Sequence, residues 1–161
     1  MIALLVFGAI GFSAPAPEVS PLSESEALAV VCELSELLSG FGRNLSGLEP
    51  DSVNDMSLFT QAQRRRLAGI SALLRAAERD FATVPNKKSR EALLEGSRKM
   101  REILEAAQRS LKGVEDRPNA VDVFRAIGRE ASLAAPFRDF VMRQPGFSKP
   151  TVGESSIILP P

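Results

Sequence analysis

The side chains able to do chemistry are few and of restricted type. The chain contains no His, Tyr or Trp and a single Cys. Without His there is no Ser-His or Cys-His nucleophile pair, and no Glu-x-x-His ligand set for a di-iron bundle. Zinc would have to be held largely by carboxylates, a poor donor set for that metal. Neither Gly-x-Gly-x-x-Gly nor a phosphate-binding P-loop occurs. One Cys excludes an intramolecular disulfide. Cys32 sits off the centre of an apolar helical stripe, which suits a small semi-buried hydrophobe better than a reactive thiol. Glu33 and Glu36 fall near the outer face of the same helix and read as solvated. Enzymatic activity, a metal and a cofactor are therefore not expected.

What remains is chemistry of binding and modification. Asn44-Leu45-Ser46 is an N-glycosylation sequon, and Asn44 is expected on an exposed loop. Arg64-Arg65-Arg66 reads either as solvated helix surface or as a patch for an anion or an acidic partner. Phe137, Phe140, Val141 and Met142 form a short apolar turn after Pro136. They either close one end of the fold or offer an apolar contact to a partner.

The elements that position these residues are helices. From Ser57 to Val84, residues Leu67, Ile70, Leu74, Ala77, Phe81 and Val84 recur at spacings of three and four. From Asn86 to Val114, residues Leu93, Ser97, Met100, Leu104, Ala107, Leu111 and Val114 do the same. Each set makes one apolar stripe. Pro85 stops the first helix and Asn86 caps the next, so the two form a short-looped antiparallel hairpin. A capping box, Ser23 to Glu26 with Leu22 ahead of it, opens an earlier helix. Its stripe is Ala27, Val31, Leu34, Leu38 and Phe41, and Gly40 and Gly42 are expected to end it. Residues 42–56 then read as a loop. Gly96 weakens the interior of the later hairpin helix, or lets another element come close. Asn119 opens a last helix with Phe124, Ile127, Ala131 and Ala134 inward. The fold class expected is all-α, an antiparallel up-down-up-down four-helix bundle over 17–143. The core expected is Val31, Leu34, Leu38, Leu67, Ile70, Leu74, Phe81, Leu93, Met100, Leu104, Leu111, Phe124 and Ile127.

The two ends differ from this middle. Residues 1–16 read as a signal peptide, with the apolar run Ile2 to Phe12 followed by small residues. Cleavage fits after Ser13, or after Ala16. The run is too short to span a bilayer comfortably, so no stable membrane span is expected unless the segment stays on as an anchor. Residues 144–161 read as an irregular Pro- and Gly-rich tail, with Ile157-Ile158-Leu159 as its one apolar spot. Net charge is zero, but it is unevenly spread. Residues 1–60 hold eight acids and one base, Arg43, against 12 acids and 19 bases in the remainder. An acidic first helix beside basic later ones is the plain expectation; a basic face for an acidic partner or anionic surface is the sharper one. Nucleic acid is not expected, because acids alternate with the bases and no aromatics interleave.

Together these point to a secreted, non-catalytic helical protein that binds an unknown protein partner. The alternative is a carrier or coat for lipid or hydrophobic surfaces. The small stripe residues Ala77, Ser97, Ala107, Ala131 and Ala134 would then leave a cavity. In general plan, including Ala14-Pro15-Ala16-Pro17 after the apolar run, the chain resembles small secreted helical surface-binding proteins of fungi. Arg65-Arg66-Leu67 resembles the Arg-x-Leu core of export motifs in secreted effectors of apicomplexan parasites, which implies a host-directed role.

Overall fold

The computed structural model describes residues 20–133, 136–144 and 147. The expected signal peptide, Ala134, and the tail from residue 148 on, with Ile157, Ile158 and Leu159, lie outside the described residues. Those described are helical, with no strand among them. Four long helices are α1 (Glu24–Ser46), α2 (Met56–Phe81), α3 (Lys87–Ser110) and α4 (Ala120–Ser132). A six-residue α5 (Phe137–Met142) follows, and a 3-10 turn, Pro50–Ser52, lies between α1 and α2.

The helix starts are set by local chemistry. Glu26 N–H donates to Ser23 Oγ at 3.2 Å, and Ser23 N–H donates back to Glu26 Oε2 at 2.9 Å. This reciprocal pair satisfies two amide donors that have no helical acceptor. The Ser23 hydroxyl and backbone hold the Glu26 carboxyl below its ordinary value of 4.5. Asp55 caps α2 through Leu58 N–H at 2.8 Å, and Asn86 caps α3 through the N–H groups of Lys88 and Ser89. Asn119 occupies the cap position of α4 but makes no side-chain cap bond. Upstream of Pro85, α2 ends at Phe81, one turn before the expected Val84, as Thr83 N–H and Oγ1 both turn back to Asp80 O. After α3, Gly113 takes φ 62°, a left-handed turn that suits glycine.

All thirteen residues expected in the core are buried. So are the flanking stripe positions Phe41, Val84 and Val114. Contacts at the helix ends show which elements meet. Leu22 N–H donates to Thr83 Oγ1 at 3.0 Å, and Ser89 Oγ donates to Glu24 Oε1 at 2.6 Å. The start of α1, the end of α2 and the start of α3 therefore share one end. At the other end Arg64 donates to Leu111 O at 2.7 Å, and Arg125 donates to Leu48 O at 2.8 Å. There the rings of Phe59 and Phe124 also meet edge-on, 5.0 Å apart. Helix α1 packs against α2 and α4, and α3 packs against the same two.

Two expectations need correction. Helix α1 does not end at Gly40 or Gly42; it runs to Ser46 and is capped at Gly47. Gly42 instead faces Gly128 of α4. A Cβ on Gly42 would lie 2.8 Å from Gly128 O, and one on Gly128 would lie 2.4 Å from Ser46 N. The two backbones are in contact, and only glycine leaves room. The residue type was right, but it reports close approach here rather than a helix stop. Second, the acids of α1 make no ion pair with the later helices among the described residues; Glu24 meets the Ser89 hydroxyl instead. Inter-element ion pairs run from α2 to α3 and its exit, Glu78 to Arg101 and Arg64 to Glu115. Phe147, within the stretch expected to be irregular, lies outside any helix and is buried with the core.

Two outcomes follow for thermal melts at low protein concentration. Gly42→Ala and Gly128→Ala are each expected to lose about 1–3 kcal/mol through forced overpacking. Gly40→Ala, two residues away on the same helix with nothing within 4 Å of an added Cβ, is expected to gain up to about 1 kcal/mol. The depressed Glu26 carboxyl carries a pH signature. Its contribution is complete above the ordinary value of 4.5 and is lost as pH falls through the lower folded-state value. A Glu26→Gln chain is therefore expected to be less stable at neutral pH, and the gap to the parent chain should close in acid. A gap unchanged by pH would contradict the capping box as its cause.

Candidate functional site

The residues singled out from sequence are not gathered at one place. Asn44 is exposed, but it lies in the last turn of α1 rather than on a loop, because that helix continues past Gly42. The three arginines sit at successive positions of α2, each turned about 100° from the last, so they fan around the helix. Arg64 is committed to Leu111 O and to Glu115, with its nitrogen 3.0 Å from Oε2. Glu115 is held below its ordinary carboxyl range, first by its own backbone N–H and then by Arg64. The Arg66 guanidinium lies over the Phe41 ring, 5.8 Å from its centroid. Arg65 and Arg66 are both exposed, and neither has an ion-pair partner among the described residues.

The apolar turn after Pro136 is the short helix α5, and its residues divide between two roles. Phe137 and Val141 are buried, so they close the fold. Phe140 is half-buried and Met142 is 41% exposed. Phe137 packs directly on the backbone of α3 at Gly96, where an added Cβ would lie 1.8 Å from the ring. Gly96 is thus a seat for an aromatic ring. The sequence offered close approach as one reading of this glycine, but nothing in the local pattern named Phe137 as its occupant.

Seating Phe137 leaves a cleft of about 130 Å³ between α3 and the α4–α5 elbow. Its walls are Met100, Ile103, Leu133, Pro136, Phe137 and Phe140, with Gly96 and Lys99 completing it. Leu133, one residue past α4, is 70% exposed, the most exposed of the large apolar side chains described. Neither Leu133 nor Ile103 stood out in the sequence; Leu133 follows the α4 stripe without belonging to it. The Lys99 ammonium lies 4.3 Å from the Phe140 ring centroid and 3.8 Å from Glu95 Oε1. Glu95 is held below its ordinary carboxyl range chiefly by its hydrogen bond from Arg98, and so stays charged beside Lys99. The cleft therefore offers an apolar floor and a single cation at its edge, which suits an apolar side chain with an acid next to it.

Among the described residues no group of three or more His, Cys, Asp or Glu could hold a metal ion. None of their helices is long and apolar enough to cross a membrane. Cys32 is free and half-buried. The small stripe residues Ala77, Ser97, Ala107 and Ala131 are buried among the larger core side chains, and Ser97 Oγ donates to Leu93 O at 2.8 Å within its own helix. Set against family models, curated proteins and solved structures, the chain finds no match.

Gly96→Ala is expected to unseat Phe137 and free α5, since the ring has no room beside a methyl group. Backbone amide exchange should quicken through 137–142 while α1 and α2 keep their protection. Unchanged exchange in α5 would contradict the seat.

Proposed function

We propose that the chain is a secreted, non-catalytic binding protein whose four long helices run up-down-up-down as antiparallel neighbours, and whose contact site is the cleft between α3 and α5. The antiparallel order is supported by the end pairings, with Leu22 beside Thr83, Arg64 beside Leu111 and Arg125 beside Leu48. Secretion is supported by the apolar run and small residues within 1–16. The observation that carries the binding site is Leu133, 70% exposed at the rim of an apolar cleft. One exposed leucine is ordinary, but beside an apolar cleft it extends a contiguous apolar patch, the kind of surface that marks a contact site. The partner is a protein presenting one apolar anchor, with a carboxylate within reach of Lys99.

Two measurements test the two halves. Protein recovered from the medium of its native cells is expected to start at Ala14, after cleavage behind Ser13; protein retained in the cell with Met1 intact would contradict export. A photo-crosslinker at Leu133, in the native milieu, is expected to join one protein species, and Lys99→Glu should reduce that yield about tenfold, the effect of losing roughly 1.4 kcal/mol. The same species captured equally from Ala72, on a different helix face, would contradict the cleft as the site.

A further inference from the structure

We propose that a second copy of this chain docks along α2, antiparallel and two-fold symmetric, across a second stripe that passes through Gly69. Helix α2 carries more apolar surface than its core needs. Besides the buried stripe, Leu58, Ala62, Gly69, Leu73 and Ala76 recur at spacings that share one flank of the helix. Leu58 is 63% exposed and Leu73 is 52% exposed. Beside this flank runs a groove of about 170 Å³ between α1 and α2, into which Val30, Leu37 and Leu73 all face.

Gly69 is the second observation. An exposed glycine inside a 26-residue helix costs up to about 1 kcal/mol relative to alanine. Gly42, Gly96 and Gly128 are each filled by a neighbour, but a Cβ at Gly69 would meet nothing within 4 Å. Nothing among the described residues requires this gap; Gly40 of α1 is equally open, but it does not lie on an exposed apolar stripe. The backbone of another helix laid across α2 would use it.

Charge selects a second copy as the occupant. Glu33 and Asp80 line the α1–α2 groove, and neither has an ion-pair partner among the described residues. Arg65 is likewise unpaired among them, and Arg66 reaches only the Phe41 ring. Arg65 and Arg66 precede Gly69 along α2 and Asp80 follows it, with Glu33 of α1 beside Asp80 in the groove; Arg75 and Arg79 also follow Gly69 but line a different face with Ala72 and Ala82. With the two-fold axis between Gly69 and Leu73, antiparallel pairing sets Arg65 of one copy level with residue 77 of the other. At about 1.5 Å rise per residue, that is within a turn of Asp80. Symmetry repeats the contact on the other side, so one surface serves as both halves.

The test is sedimentation velocity on the full chain over a range of concentrations, and it is independent of what binds the α3–α5 cleft. The parent chain is expected to form a dimer whose fraction rises with concentration and falls with salt. Arg65→Glu with Arg66→Glu puts like charges together, as does Glu33→Lys with Asp80→Lys, so each double variant alone is expected to be monomeric. Mixed in equal amounts, the two reversals complement each other and dimer returns. Gly69→Gln is expected to be monomeric too, yet to melt no lower than the parent, which separates docking from folding. A parent chain that stays monomeric at every concentration, or a dimer that survives both charge reversals, overturns the proposal.

Discussion

The fold depends on backbone contact between α1 and α4 at Gly42 and Gly128. Each glycine presses on the other's carbonyl, so that an added Cβ on either would stand 2.8 Å from it. Helix α4 has only 13 residues, too short to be stable alone in water, and its structure comes from packing. The close crossing lets Phe124, Ile127 and Ala131 bury fully beside Phe41 and Leu45 of α1. The longer pair α2 and α3 closes over the remaining side of the same core, stitched at one end by Leu22 and Thr83 and at the other by Arg64 and Leu111.

The same device recurs at the edge of the fold, where Gly96 receives the Phe137 ring and anchors α5. Once α5 is anchored, Phe140, Ile103 and Leu133 are left around an open cleft, because the seat takes one aromatic and not two. Glycines at contacts therefore shape both the interior and the cleft at the surface. Lys99 adds the one charge at that cleft, and it is positioned by the Phe140 ring and by Glu95 rather than by solvent alone.

Much of the architecture was legible in the chain. Period-3.6 spacing located every expected core residue, from Val31 to Ile127, since a helical stripe has one physical use in a fold of this size. The caps at Ser23 and Asn86 were legible because their chemistry is local. What failed was whatever depended on a residue far away in sequence. Gly42 looked like a helix stop because local pattern cannot distinguish a C-cap from a site of close approach, and that error moved Asn44 from helix to loop. The charge asymmetry suggested salt bridges from α1, but the positions of the acids on the wheel decide pairing: Glu26 is taken by its own cap at Ser23, and Glu33 meets the α1–α2 groove beside Asp80 rather than beside a base. The apolar turn after Pro136 was identified, but its division into seated Phe137 and half-open Phe140 required knowing that Gly96 lay beneath it. Leu133 gave no signal, because one exposed leucine is ordinary until a cleft stands next to it.

The central claim is that paired glycines bring the α1 and α4 backbones into contact and so fix the arrangement of all four helices. Solution NMR on the full chain with α-protons of Gly42 and Gly128 resolved tests it most directly. The account predicts NOEs from the Gly42 α-protons to the backbone of Gly128 and Ser132, with slow amide exchange on both sides of the crossing. Gly42 α-protons that show only intrahelical NOEs and relax like solvent-exposed ones would contradict it.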